Sequence, residues 1–198
     1  MKQLLIALTC LALLIWGWNE YFREIPHLEQ PGVLKNFELE TRREFSGEFT
    51  VAGRQFYSPQ QRAMLFRASA WVGEYNDLAY LSNVDVLLVQ GMLADPQNLK
   101  KIDFKQHSRC YEFQLKPNAG FTAEQVRADS LNVNAIASNE RITQKLRRLK
   151  PGQRVQLQGQ YVNVQQLKTG KRFVTGMNIP LPRPQCSIIK ITYIQVLS

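Results

Sequence analysis

Apolar and polar positions change rhythm twice along this 198-residue chain, and each rhythm predicts a different kind of element. The first is a continuous apolar run, Leu4 to Trp18, without a charge and preceded only by Lys2 and the amino terminus. That is the pattern of an export signal. At about 1.5 Å per residue the uncharged stretch Gln3 to Asn19 reaches roughly 25 Å, near the roughly 30 Å of a bilayer core, so it spans with some thinning or snorkelling. The run ends Ile15-Trp16-Gly17-Trp18 and offers no small-x-small cleavage site. Trp16, Trp18 and Tyr21 suit a membrane interface, and Lys2 favours the N-terminus inside. The prediction is a signal anchor over residues 1–19, in contact with the inner membrane through residues 3–18. Cys10 is no lipid attachment site on this reading, because Thr9 stands where a small Gly or Ala would be needed.

Residues 20–44 mix charges with Pro26, Pro31 and Gly32 and keep no period, which predicts a stalk or linker. From residue 45 the second rhythm, strand alternation, begins with Phe45 to Val51, a turn at Gly53-Arg54 and a return through Phe56. Residues 60–82 read as a short helix or irregular segment. Val84 to Met92 reads as a buried strand, and Leu99 to Gln106 and Cys110 to Leu115 as alternating strands. Thr122 to Gln125 has the form of a capping box and opens a short helix over 122–128. Leu131 to Ile136 alternates again. Ser138 or Asn139 then caps a helix that carries Ile142, Leu146 and Leu149 on one face. Gln153 to Val164, the turn Lys168-Thr169-Gly170 and Arg172-Phe173 form a hairpin, and Cys186 leads into a last strand apolar on both faces. The expected fold is α+β and mostly antiparallel: a small, partly open, OB-like barrel with one or two short helices, filling a single extracytoplasmic domain over 45–198 behind an N-terminal transmembrane helix.

Charge changes this picture by dividing the chain. Residues 1–98 hold 8 Lys+Arg against 11 Asp+Glu, whereas residues 99–198 hold 17 against 5, so the net +9 belongs to the second half. A basic half of this kind attracts an acidic protein, anionic lipid or nucleic acid. Export disfavours nucleic acid, which is mostly cytoplasmic. The candidate binding face is Arg141, Lys145 and Arg148 on the second helix, with Arg154, Lys171 and Arg172 on the hairpin. Its ordinary alternative is a soluble basic surface without a dedicated ligand.

Cysteine usage points the same way as the signal. Cys110 and Cys186 are the two cysteines of the exported part and are a candidate disulfide in an oxidising compartment. His107 and Cys110 supply at most two ligands, too few for a metal site. No cofactor motif occurs. A Cys110–His107 nucleophile pair exists only if Cys110 is reduced. Among the acids Asp77, Asp85, Asp95 and Asp103, which invite a reading as paired carboxylates, Asp95 precedes a proline turn and Asp103 points outward from a strand. Asp85 stands out beside a hydrophobic run and reads first as a structural hydrogen-bonding group, second as an acid or base acting with His107. Tyr111, Phe113, Tyr161 and Phe173 read as core before they read as a stacking surface.

Five segments, Leu81–Asp85, Gly91–Asp95, Ile102–Phe113, Ser130–Ile136 and Gly152–Val162, follow in an order and spacing that resembles a group of small exported or membrane-anchored bacterial proteins without an assigned function. The resemblance covers residues 45–198 and implies architecture and location. The group usually has a Trp before the glycine matching Gly91, and a His at the place of Asn134; here Gln90 and Asn134 stand there. Gly176 to Gln185 replaces a polar stretch of the group before the last cysteine. If those positions carried chemistry, this chain has lost it.

The functional expectation is a non-enzymatic envelope protein of the bacterial inner membrane, single-pass, its C-terminal domain in the periplasm and its basic face turned to an acidic partner or the membrane surface. A periplasmic barrel binding nucleic acid or oligosaccharide is the first alternative, and a hydrolase using Asp85 and His107 the second.

Overall fold

The computed structural model describes residues 2–21, 24–57, 78–176 and 186–197. Most of the segment expected as a short helix over 60–82 lies outside these residues. The elements in order are helix α1 (Lys2–Tyr21), α2 (Val33–Asn36), β1 (Phe37–Phe56), β2 (Val84–Val89), a 3-10 turn (Gly91–Ala94) and α3 (Pro96–Leu99). They continue with β3 (Ile102–His107), β4 (Cys110–Leu115), α4 (Ala123–Ala128), β5 (Ser130–Ala137), α5 (Glu140–Arg148), β6 (Arg154–Gln166), β7 (Arg172–Phe173) and β8 (Cys186–Leu197).

Strands account for 46% of the described residues, and they assemble mainly into one sheet in the order β1-β2-β5-β8-β6-β7, with β3 and β4 as a separate hairpin. Among the described strands only β5 and β8 pair in parallel; the connection between them carries α5 and the β6–β7 hairpin. The twenty residues of β1 serve two neighbours: Phe37 to Thr50 pair with β6, and Thr50 to Phe56 pair with β2. The expected fold class is corrected on these grounds. A mostly-strand chain with one six-stranded sheet, a separate hairpin and few helices stands in place of the OB-like barrel, which is not shown.

The transmembrane helix is corrected as well. Among the described residues no helix is long and apolar enough to cross a membrane. α1 opens on Lys2 and Gln3 and closes on Asn19, Glu20 and Tyr21, and its aliphatic part, Leu4 to Ile15, covers only about 18 Å at 1.5 Å per residue. A run of that length suits the apolar part of a signal sequence better than a span.

Residues 24–44, expected in the stalk, are folded against the sheet. Ile25 is 1% exposed in the main core, Leu28 N–H donates to the Ala137 carbonyl, and Phe37 to Glu44 are the first half of β1. Where a turn was expected at Gly53-Arg54, β1 runs straight through, with a register shift between Val51 and Gly53. The later elements follow the sequence pattern closely. Thr122 caps α4 through a complete capping box with Gln125, and Asn139 caps α5 by accepting from Ile142 N–H at 3.1 Å. α5 lays Ile142 and Leu146, and Leu149 just past its end, onto the main core built from β1, β2, β5, β6 and β8. Burying each such side chain contributes roughly 1.5–3 kcal/mol.

One close approach depends on a glycine. A Cβ on Gly159 would stand 2.1 Å from the backbone oxygen of Lys190, where β6 and β8 shift register between Gln158 and Gly159. Backbone cannot yield as a side chain does. Gly159→Ala is therefore expected to cost about 1–3 kcal/mol, seen as a fall of several degrees in Tm; an unchanged Tm would show that the two strands sit further apart.

Candidate functional site

β2 and β5 each send alternate side chains to opposite faces of the sheet. Val84, Val86 and Leu88 enter the main core with Leu131, Val133 and Ala135, so Asp85, Asn132 and Asn134 emerge together on the other face. Asn134 lies directly across from Asp85 in the register. That face is not open to water, because the β3–β4 hairpin covers it and packs Ile102, Phe104 and Phe113 against Val89, Leu93 and Val126.

The hairpin turns on two residues, Ser108 and Arg109, between the paired His107 and Cys110. Both adopt left-handed φ, 47° and 65°. Two-residue turns of this hand favour Asn-Gly, and side-chain-bearing residues in them cost of order 1–3 kcal/mol each. The contacts of Arg109 offset that cost. Only 3% exposed, it places Nη1 3.0 Å from Asp85 Oδ1 and donates from Nη2 to the Ser82 carbonyl at 2.6 Å. Its backbone N–H donates to the Tyr57 hydroxyl at 3.2 Å, and its guanidinium lies 4.0 Å from the centre of the Tyr57 ring. Its carbonyl accepts from the amides of Asn132 and Asn134 at 3.0 and 2.9 Å. Asn132 also donates to Asp85 Oδ2 at 3.1 Å and accepts from Gln106 Nε2 at 2.8 Å.

A disulfide fastens the same point. Cys110, next to Arg109, is bonded to Cys186, which pairs with Asn132 in the β5–β8 register. The expected Cys110–Cys186 bridge is thus present. It joins positions 76 residues apart, for which loop-closure entropy suggests about 4 kcal/mol. A Cys110 nucleophile is closed off by the same bond.

Asp85 and His107 are not brought together. Gln106 reaches beneath the hairpin to Asn132, so its neighbour His107 points to the outer face, where it meets Glu112 at 3.4 Å. Asp85 itself is fully buried, with both oxygens engaged. The other acids have local partners: Asp95 caps α3 by accepting from Gln97 N–H, and Asp103 lies 3.0 Å from Lys116. Asp77 falls outside the described residues. Among the described residues no group of three His, Cys, Asp or Glu side chains could hold a metal ion. Tyr111 and Tyr161 are buried, Tyr111 with its hydroxyl on Ser130, and neither offers a stacking surface.

The six basic candidates divide by position. Arg154 opens β6, whereas Arg172 pairs with Gln165 near the other end; at about 3.3 Å per residue these positions are roughly 36 Å apart. Both are paired with acids, Arg154 with Glu48 at 3.3 Å and Arg172 with Glu40 at 2.6 Å. Asn163, Arg172 and Arg42 together hold the Glu40 carboxyl below the usual range. Lys171 belongs to the Arg172 end. Arg141, Lys145 and Arg148 share the exposed face of α5 with Lys150 just beyond, and among the described residues none of the four makes an ion pair. Lys145 donates to the Ile194 carbonyl and stands 5.6 Å above the Tyr193 ring. Cations in the last turn also complement the helix dipole, which is the ordinary reason for Lys145, Arg147 and Arg148.

Arg109, Asn132, Asn134, Tyr57 and Ser82 carry no motif. Their one signal in the sequence is two asparagines spaced by two on a strand that must lie beside Asp85. The result is a mostly-strand, disulfide-fastened module in which Asp85, Asn132 and Asn134 are bonded to the Arg109 hairpin tip, and in which Arg141, Lys145, Arg148 and Lys150 lie along one helix face and its end without an ion pair among the described residues. No family model, curated protein or solved structure matches the chain.

Burial pushes the Asp85 carboxyl above the ordinary aspartate range, against the charge of Arg109 and the hydrogen bonds of Asn132, Arg109 and Tyr57. Burial, then the Asp85 charge, likewise pushes the Tyr57 hydroxyl up. An acid whose folded pKa is raised contributes stability that is complete below its unfolded pKa of about 4 and is lost as pH rises through the folded value. The unfolding free energy of the wild type relative to Asp85→Asn should therefore fall as pH rises from 4. Denaturant titrations across that window check it; a difference that grows with pH would mean that Arg109 holds the carboxyl below its ordinary value.

Proposed function

We propose that this protein is a non-enzymatic binding module working outside the cytoplasm, with the cationic face of α5 as its contact surface for an acidic partner. The observation that carries this reading is the separation of the charges. Arg154 and Arg172 are occupied by Glu48 and Glu40, whereas Arg141, Lys145, Arg148 and Lys150 stand together on one exposed face without a paired acid among the described residues. Unpaired like charges on one helix repel one another at a small cost, and an anionic partner relieves it.

Two features support the extracytoplasmic setting. The Cys110–Cys186 bridge belongs to an oxidising compartment. α1 is an apolar helix behind a lysine, its side chains exposed from Lys2 to Ile15, as suits a segment read by export machinery.

Reversing three charges together, Arg141→Glu, Lys145→Glu and Arg148→Glu, should remove retention on an immobilised acidic polypeptide such as polyglutamate, while wild-type retention weakens with salt. Vesicles with anionic headgroups, run in parallel, report lipid as the partner instead. Retention that survives the triple change would place binding elsewhere, and retention lost equally in Arg172→Glu would mean that net charge alone is responsible.

A further inference from the structure

A cleft of about 590 Å³ opens beside the cluster just described, between the docked segment 24–37 on one side and Tyr57, Ala79–Asn83 and the turn at Lys168 on the other. Phe37, Val33, Pro26 and the Tyr57 ring give it apolar walls. Its polar groups are unbalanced in a definite sense. Asn83 is only 4% exposed, and its Nδ2 donates to the Glu24 carbonyl at 2.6 Å. That bond fixes which way the amide faces, and leaves Oδ1 buried with no hydrogen-bond partner. Gln30 repeats the arrangement: Nε2 donates to Glu24 Oε1 at 3.2 Å, and Oε1 is left buried and unpartnered. Both residues line the cleft, as does Glu24 itself.

Each buried acceptor without a donor costs about 1–3 kcal/mol, and such groups in folded proteins usually have a partner. Here the residues of two unpartnered carbonyl oxygens and a carboxylate line one cleft, and both amides are bonded to the residue that carries the carboxylate. One hydrogen of each amide is already turned to Glu24. A ligand that meets three acceptors needs several N–H donors on one atom, and the carboxylate favours positive charge on that atom. The aromatic wall is compatible with the same charge. We infer that this cleft binds a small molecule presenting a protonated primary amine to Asn83, Gln30 and Glu24, with its carbon skeleton against Phe37 and Val33. Lys168, on the exposed turn at the far edge, directs the ammonium to the Glu24 end. The site is separate from the α5 face and does not rest on that face having a partner.

Titration calorimetry of the full chain in neutral detergent, with 1,5-diaminopentane as probe and 1,5-pentanediol as its uncharged counterpart, tests the inference. Saturable binding of the diamine and none of the diol is expected. Glu24→Gln, which keeps the shape and removes the charge, should weaken the diamine about tenfold, and Gln30→Met, which removes one acceptor, should weaken it about fivefold. Both positions are on the surface segment, and each variant must keep the wild-type Tm for its result to be read. Absence of saturable binding at millimolar diamine would overturn the inference. So would equal binding of the diol, or diamine binding untouched by both substitutions.

Discussion

An arginine at the tip of a two-residue hairpin turn normally points into water, and Arg109 is held inside. With positive φ at both Ser108 and Arg109, the tip enters the sheet rather than leaving it, and a guanidinium entering a sheet must find a carboxylate. Asp85 supplies it. The pair alone is a weak source of stability, since the desolvation of two charges consumes most of their attraction. Its effect comes through what surrounds it: Asn132, Asn134, Ser82 and Tyr57 bond to Arg109 or Asp85 from several elements, and so fix the hairpin over β2 and β5 in one position. The Cys110–Cys186 bond then closes the arrangement from the β8 side.

This interior has consequences for the surface. The outer face of β2 and β5 is roofed by the β3–β4 hairpin, so the exposed features of the molecule lie around it rather than on it. One such feature is the α5 face, where Arg141, Lys145 and Arg148 make no ion pair among the described residues. The other is the cleft behind Tyr57, whose ring stacks on Arg109 and also walls the cleft. Tyr57 thereby links the fixed interior to a region whose buried acceptors lack donors.

Local signals in the sequence carried much of the second half of the fold. The capping box at Thr122, the spacing of Ile142, Leu146 and Leu149, the hairpin through Gly170 and the pairing of the two later cysteines all depend on near neighbours or on chemistry with few alternatives. β1 was not legible in the same way. Its first half, Phe37 to Glu44, is rich in charge and resembles a linker until β6 is laid beside it, a pairing across more than a hundred residues. Asn132 and Asn134 alternate as an exposed strand should, and do face outward from the sheet; what buries them is a hairpin whose position the strand pattern does not encode. The six basic candidates looked like one surface in a linear count, but the length of β6 places Arg154 and Arg172 at opposite ends. α1 shows the reverse case: polar residues at both ends leave its apolar part shorter than its helical length suggested.

Asp85 and Arg109 act as one unit on which the placement of the hairpin depends. A double-mutant cycle with Asp85→Asn and Arg109→Met, read by urea unfolding with the disulfide intact, measures their coupling directly. The double mutant should be less destabilised than the sum of the single changes by at least about 2 kcal/mol, because each single change strands a buried partner. Additivity within about 0.5 kcal/mol would contradict it, and would mean that the disulfide and apolar packing hold the hairpin without the pair.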